Sequence, residues 1–228
     1  METIHYTQEH KAHAHVAAMR AGFPGLEWSL DNARLAPQAA GCIQVLGGLQ
    51  FGALERLLEI RAAGLPYVFY DRAYFGGGPG SERLRVLANA YHRTESRLPR
   101  GIEAAGPESV ARLHGFGIDL HTLGPMRARG AQIMIVPPSG AVARLFGMPK
   151  PQVWARLVGE RIRRVTDRPV WVSVKGDKEP LTQRLARCHA VVTFTSTVAV
   201  EAILAGVPAF ASAHSPAAPV AMLLERLE

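Results

Sequence analysis

Cysteine is scarce in this 228-residue chain: there are two, Cys42 and Cys188, far apart and each at an expected strand start. Such a pair reads as two buried thiols rather than as a disulfide framework. Long apolar runs are missing as well. No segment approaches the roughly 20 apolar residues that a membrane-spanning helix needs. The N-terminal METIHYTQEHKAHAH has no apolar secretory core. Both absences point to the cytoplasm and exclude a membrane span. The dinucleotide fingerprint G-x-G-x-x-G does not occur, nor does the P-loop pattern, which disfavours dehydrogenases and P-loop NTPases. Internal repeats and low-complexity tracts are also lacking.

What is present is an ordinary globular composition, 48% hydrophobic and 20% charged, enough for one large domain or two small ones. Charge of one sign dominates, at a formal +7. Arginine supplies most of it, concentrated in 83–100 and 144–168. A basic surface raises the local concentration of polyanions and phosphorylated substrates. A solvated helix face in an arginine-rich chain explains the same residues equally well, and no nucleic-acid-binding motif accompanies them.

Strands alternate with helices along the chain, the signature of parallel α/β architecture. Strands are expected at Ile4–Thr7, Leu26–Leu30, Cys42–Leu46, Tyr67–Tyr70 and Leu84–Asn89, with helices at His10–Ala21 and Phe51–Ala63. Residues 96–130 interrupt the pattern with glycines and prolines and one short helix, Glu108–Leu113. It restarts with strands at Gln132–Val136, Val170–Val174, Ala190–Phe194 and from Val207, and helices at Pro151–Thr166, Pro180–Ala186 and Val198–Ala205. The expectation is an α/β fold of two Rossmann-like doubly wound halves, residues 1–128 and 129–228, with a cleft between them.

The segment HAVVTFTSTVAVEAILAGVPAF, residues 189–210, is the most informative. A buried strand delivers Thr195, Ser196 and Thr197 to the start of a helix. Free N–H groups converge at such a place and attract anions. A single hydroxyl would suffice as a helix cap; three in a row suggest a phosphate site. Glu201 stands four residues after Thr197, one too far for a capping box. It suits a ribose or base contact, and the helix dipole is the bland alternative. In open α/β sheets, ligands sit beyond the carboxyl ends of the strands. Ser139 of the Pro-Pro-Ser-Gly loop and Lys175 fall there too, with Lys178 a weaker case. Either lysine could equally be a surface residue.

TSTVAVEAILAGVPAF resembles the late strand–helix–strand of the nucleotide-sugar-binding domain of GT-B glycosyltransferases, in the capsule-type and sialyltransferase-like branch. YVFYDRAYF, RLRVLANAYHR, IVPPSG and TDRPVWVSVKGDKEPL resemble little-characterised glycosyltransferase-like proteins of bacteriophages and prophages. The resemblance implies a metal-independent transferase with no cofactor, a nucleotide-sugar as donor, and a hydroxyl acceptor such as a modified DNA base or a cell-surface glycan. The absence of Asp-x-Asp agrees with this, since metal-dependent GT-A enzymes carry it. Two departures stand out. Lys175 occupies the place of the branch's histidine in its His-Pro pair, and the closing C-terminal helix of GT-B enzymes has no counterpart before Glu228. The second departure suggests a minimal or truncated transferase. The rival reading is a non-catalytic GT-B-like protein that binds a nucleotide or nucleic acid. The sequence leaves the oligomeric state open.

Under the enzyme reading, an acceptor hydroxyl must lose a proton to a base within hydrogen-bond reach. Asp71, at the end of the apolar strand Tyr67–Tyr70, is the leading candidate and His92 the second. Asp71 could instead pair with Arg72 or Arg85. Arg72 is a further candidate contact. Gly47 and Gly48 would let backbone approach an acceptor or sugar, or simply make a tight turn. His10, His13 and His15 cluster without a further ligand spaced to complete a zinc site, so no metal is expected.

Overall fold

Among the described residues, two β-sheets of five strands each organise the protein. The structure is a computed structural model. It describes residues 3–7, 17, 20–21, 27–31, 42–50, 52–74, 84–92, 107–115, 117–119, 125–126, 130–174 and 176–226. The chain divides into two units, Met1–Ala73 with Gly77–Ser96, and Tyr74–Gly76 with Arg97–Glu228.

In the first unit the strands are β1 (Thr3–Thr7), β2 (Glu27–Asp31), β3 (Cys42–Gly47), β4 (Tyr67–Arg72) and β5 (Leu84–Ala88). Their order is β2-β1-β3-β4-β5, parallel except for the antiparallel β4–β5 pair. Helix α1 (Ala53–Ala62) buries Leu54, Leu57 and Ile60 at helical spacing. It stops where expected, at Gly64, whose φ of +66° suits a residue without a Cβ. The helix expected at His10–Ala21 lies outside the described residues except at Ala17, Arg20 and Ala21.

The second unit contains α2 (Pro107–Gly115), then β6 (Gln132–Val136), α3 (Gly140–Leu145), α4 (Pro151–Val165), β7 (Val170–Val172), α5 (Leu181–Ala186), β8 (Cys188–Thr193), α6 (Val198–Leu204), β9 (Ala209–Ala211) and β10 (Met222–Leu223). The sheet is wholly parallel in the order β10-β9-β8-β6-β7. Counted within the unit from the β7 edge this is 2-1-3-4-5, a doubly wound Rossmann-like order. Strands of such a sheet are covered on both faces and read as continuous apolar runs. Accordingly Met134, Ile135, Val191 and Val192 are at most 1% exposed. On one face α4, with Pro151 in its first turn, buries Trp154, Val158 and Ile162. On the other, Ala199 and Ala202 of α6 pack against Met134 and Val191. Small alanines let α6 approach the sheet closely.

The described residues between 107 and 126, expected with the N-terminal half, group with the second unit. Locally, the carbonyl of Pro125 lies 3.7 Å from where a Cβ on Gly206 would stand. Neither α3, directly after the Pro-Pro-Ser loop, nor the two-residue strand β10 was expected from sequence. Both are too short for a periodic pattern to register. No helix among the described residues is long and apolar enough to cross a membrane.

Candidate functional site

The doubly wound order reverses direction between β6 and β8, and the loops leaving those two strands diverge to opposite faces. That switch point is where open α/β sheets receive ligands. Val136 and Thr193 end the two strands and are register partners. The Thr193 hydroxyl donates to the Val136 carbonyl at 2.7 Å, which ties the strand ends together. Ser139 and Ser196 each follow three residues later, so the switch point brings together two loops that are far apart in sequence.

The hydroxyls around it are unequal. Ser139 is exposed and caps α3, accepting from the N–H of Val142 at 3.2 Å. Thr193 and Thr195 are buried. Ser196 donates its N–H to Thr193 Oγ1 at 3.4 Å and accepts from the N–H of Val198 at 3.3 Å. Thr197 occupies the N-cap position of α6 yet makes no side-chain cap bond, and its hydroxyl has no hydrogen-bond partner among the described residues. Helices α3 and α6 span six and seven residues, so neither macrodipole is long enough to make an anion site alone. The crevice and its hydroxyls matter more.

Glu201, one turn into α6, is exposed, and its carboxylate makes no hydrogen bond among the described residues. Desolvation lifts its carboxyl above the ordinary range, opposed by the attraction of the Arg184 guanidinium. Arg184 itself is held by the loop after β7: it donates to Asp177 Oδ2 at 3.0 Å and to the Ser173 hydroxyl. Asp177 also accepts from Ser173 Oγ at 3.1 Å and from the N–H of Val174 at 3.3 Å. Lys175, within this loop, lies outside the described residues; Lys178 is exposed.

Sequence reasoning missed one cluster at the same edge. Phe146, at the end of α3, Phe194, just past β8, and His214, past β9, form three mutually contacting rings. Their centroids are 5.3 Å apart for Phe146–Phe194, 5.0 Å for Phe146–His214 and 6.0 Å for Phe194–His214. Three isolated aromatic residues carry no local signal, because only the sheet order makes their loops neighbours. An apolar groove of about 270 Å³ elsewhere in the unit is lined from the amino-terminal part of the strands by Ile133, His189, Ala190 and Pro208, and contains none of the switch-point hydroxyls.

The first unit holds the other candidates. Asp71 accepts from Arg85 at 3.1 Å and from the Arg72 N–H at 2.8 Å. Arg72 is exposed. His92 is 2% exposed, with its ring 4.3 Å from that of Tyr91 and nearly perpendicular to it, so in this conformation it is closed off from solvent. At Gly47 a Cβ would clash with the phenol end of the Tyr70 side chain. Gly48 turns the chain with a φ of +63° and donates its N–H to the Tyr70 carbonyl at 2.9 Å. Both glycines thus serve packing and the turn.

No protein-family model matches this chain, and no curated protein matches it. A solved structure does: the KpsC beta-Kdo 2,4 transferase of Thermosulfurimonas dismutans, at 11% identity and a TM-score of 0.52, over 92% of this chain and 79% of that one. The two proteins share a fold. At this identity the likeness covers architecture and carries no residue roles with it.

Proposed function

We propose that this protein is a metal-independent GT-B-type glycosyltransferase that moves a sugar from a nucleotide-sugar donor to a hydroxyl acceptor. The observation that carries the reading is the convergence of Ser139, Ser196 and Thr197 on the β6/β8 switch point, with the Thr197 hydroxyl uncommitted. Hydroxyls and loop N–H groups there suit donor phosphates, to which charge-assisted hydrogen bonds are strong. Glu201, its carboxylate uncommitted, suits ribose hydroxyls, and Lys175 suits a phosphate oxygen. The first unit would hold the acceptor, with Asp71 as base and His92 second, and with Gly47, Gly48 and Arg72 at the same strand ends. The Kdo transferase likeness favours a glycan acceptor over DNA. Kinship to phage-encoded proteins rests on the sequence resemblance alone.

The Asp71–Arg85 pair favours a second reading, a nucleotide-binding protein without transferase activity, because the Asp71 carboxylate is already occupied by a guanidinium and a backbone N–H. A thermal-shift screen with UDP, CMP, GDP and their sugars, followed by assays of transfer and donor hydrolysis, separates the readings. Stabilisation with turnover supports the enzyme. Stabilisation without turnover supports the binder. No response to any nucleotide defeats both.

A further inference from the structure

The imidazole of His214 is exposed, yet the loop that bears it is rigidly built. Ser212 and Ser215, at 2% and 0% exposure, spend their hydroxyls on the backbone around it. Ser212 Oγ donates to the Phe194 carbonyl at 2.9 Å and accepts from the His214 N–H at 3.3 Å. Ser215 Oγ accepts from the N–H of Ala217 at 3.2 Å. Beneath the imidazole stand Phe146 and Phe194, tilted 45° and 49° to it. Buried serines that fix the loop backbone on either side of His214, and two phenylalanine rings in contact with its imidazole, make a preorganised platform rather than a chance surface residue.

Its position ties it to the switch point. Phe194 is two residues before Ser196, so their Cα atoms lie within about 7 Å. The His214 ring is 6.0 Å from that of Phe194. The Ser212 hydrogen bond to the Phe194 carbonyl sets the loop of His214 beside the strand end that leads into Ser196 and Thr197. The hydroxyls supply phosphate contacts. The platform supplies a flat π-face, which suits a planar ring.

We propose that His214, braced by Phe146 and Phe194, is the stacking surface for the base of the bound nucleotide. The inference rests on the nucleotide-sugar reading and adds the residue that grips the base. Stacking on an aromatic face tolerates different bases, so this platform provides affinity more than base selectivity.

The test is calorimetry with CMP, UMP, GMP and AMP, and with inorganic pyrophosphate as a probe lacking a base, on the wild type, His214→Ala and His214→Phe. Melting curves for each variant confirm folding. His214→Ala is expected to weaken the best nucleotide by about 5- to 150-fold, the range one base–aromatic stack supplies, and to leave pyrophosphate unchanged. His214→Phe is expected to retain most of the affinity. Nucleotide binding unaffected by His214→Ala overturns this inference and leaves the nucleotide-sugar reading standing. Equal losses for pyrophosphate and nucleotide, or loss in the phenylalanine variant as large as in the alanine variant, also overturn it. A wild type that binds no nucleotide removes both the reading and this inference.

Discussion

Arg85 donates to the Asp71 carboxylate at 3.1 Å from the position directly opposite it in the antiparallel β4–β5 ladder. The Arg85 side chain is only 8% exposed, with its guanidinium 5.2 Å from the centre of the Tyr91 ring and 6.0 Å from that of Phe69. The pair anchors the one antiparallel edge strand, β5, to the parallel part of its sheet.

Asp71→Asn is therefore expected to lower stability by about 1–3 kcal/mol, because it removes the carboxylate charge that faces a largely buried guanidinium. If Asp71 is also the base, turnover falls by ~10²–10⁴-fold with nucleotide affinity nearly intact. Turnover and melting are to be measured on one preparation. A stable variant with near-normal turnover removes Asp71 from the mechanism.

Ser196 and Thr197 should separate by role. Ser196→Ala loses a bond to the first turn of α6 and is expected to cost about 0.5–2 kcal/mol of stability. Thr197→Ala, which breaks no bond among the described residues, is expected to leave the melting temperature unchanged. The double variant should weaken nucleotide binding by ~1–3 kcal/mol. An unchanged dissociation constant in calorimetry would sink the phosphate assignment.

Gly47→Ala is expected to destabilise the first unit by about 1–3 kcal/mol through overpacking against Tyr70. Tyr70→Leu in the same chain should recover part of the loss. Denaturant melts of the single and double variants measure the coupling, and simple additivity would show that the ring is not the obstacle.

Burial pushes the Cys188 thiol from an ordinary value of 9.0 up to about 11, against the pull of Arg187 and Arg184. The native state thus holds this proton more tightly than the unfolded chain. Its stabilising contribution is whole below pH 9 and is lost as pH rises through 11. In a Cys42→Ser background, thiol-reactive dye at pH 8 should label Cys188 only on unfolding; rapid labelling of the native protein would contradict its burial.

Much of the second unit was legible because its signals are local. Gly206 ends α6 with a φ of +74°, Pro151 opens α4, and the apolar runs Gln132–Val136 and Ala190–Val192 lie in adjacent buried strands, as expected. Periodicity, caps and positive-φ glycines act over a few residues, so the chain itself determines them. The hydroxyls of 195–197 were visible too, but their division of labour was not. Which one caps depends on backbone geometry at the strand end, and Ser196 rather than Thr197 took that role.

Tertiary structure alone decided the long-range pairings. Strand register sets Asp71 against Arg85 and ties Thr193 to Val136. Packing of β4 against β3 puts the end of the Tyr70 ring where a side chain at residue 47 would stand, and so favours glycine there. Arg56, on the amphipathic helix α1, is completely buried against Gln44, a position no helical periodicity assigns to a charge. The sheet order β10-β9-β8-β6-β7 brings the loops after α3, β8 and β9 together, and with them Phe146, Phe194 and His214. The sequence by itself determined where strands and helices begin and end, because those choices are made within a turn or two. Which of their ends meet was decided by the folded sheet, because strand order and register join residues that no local pattern connects.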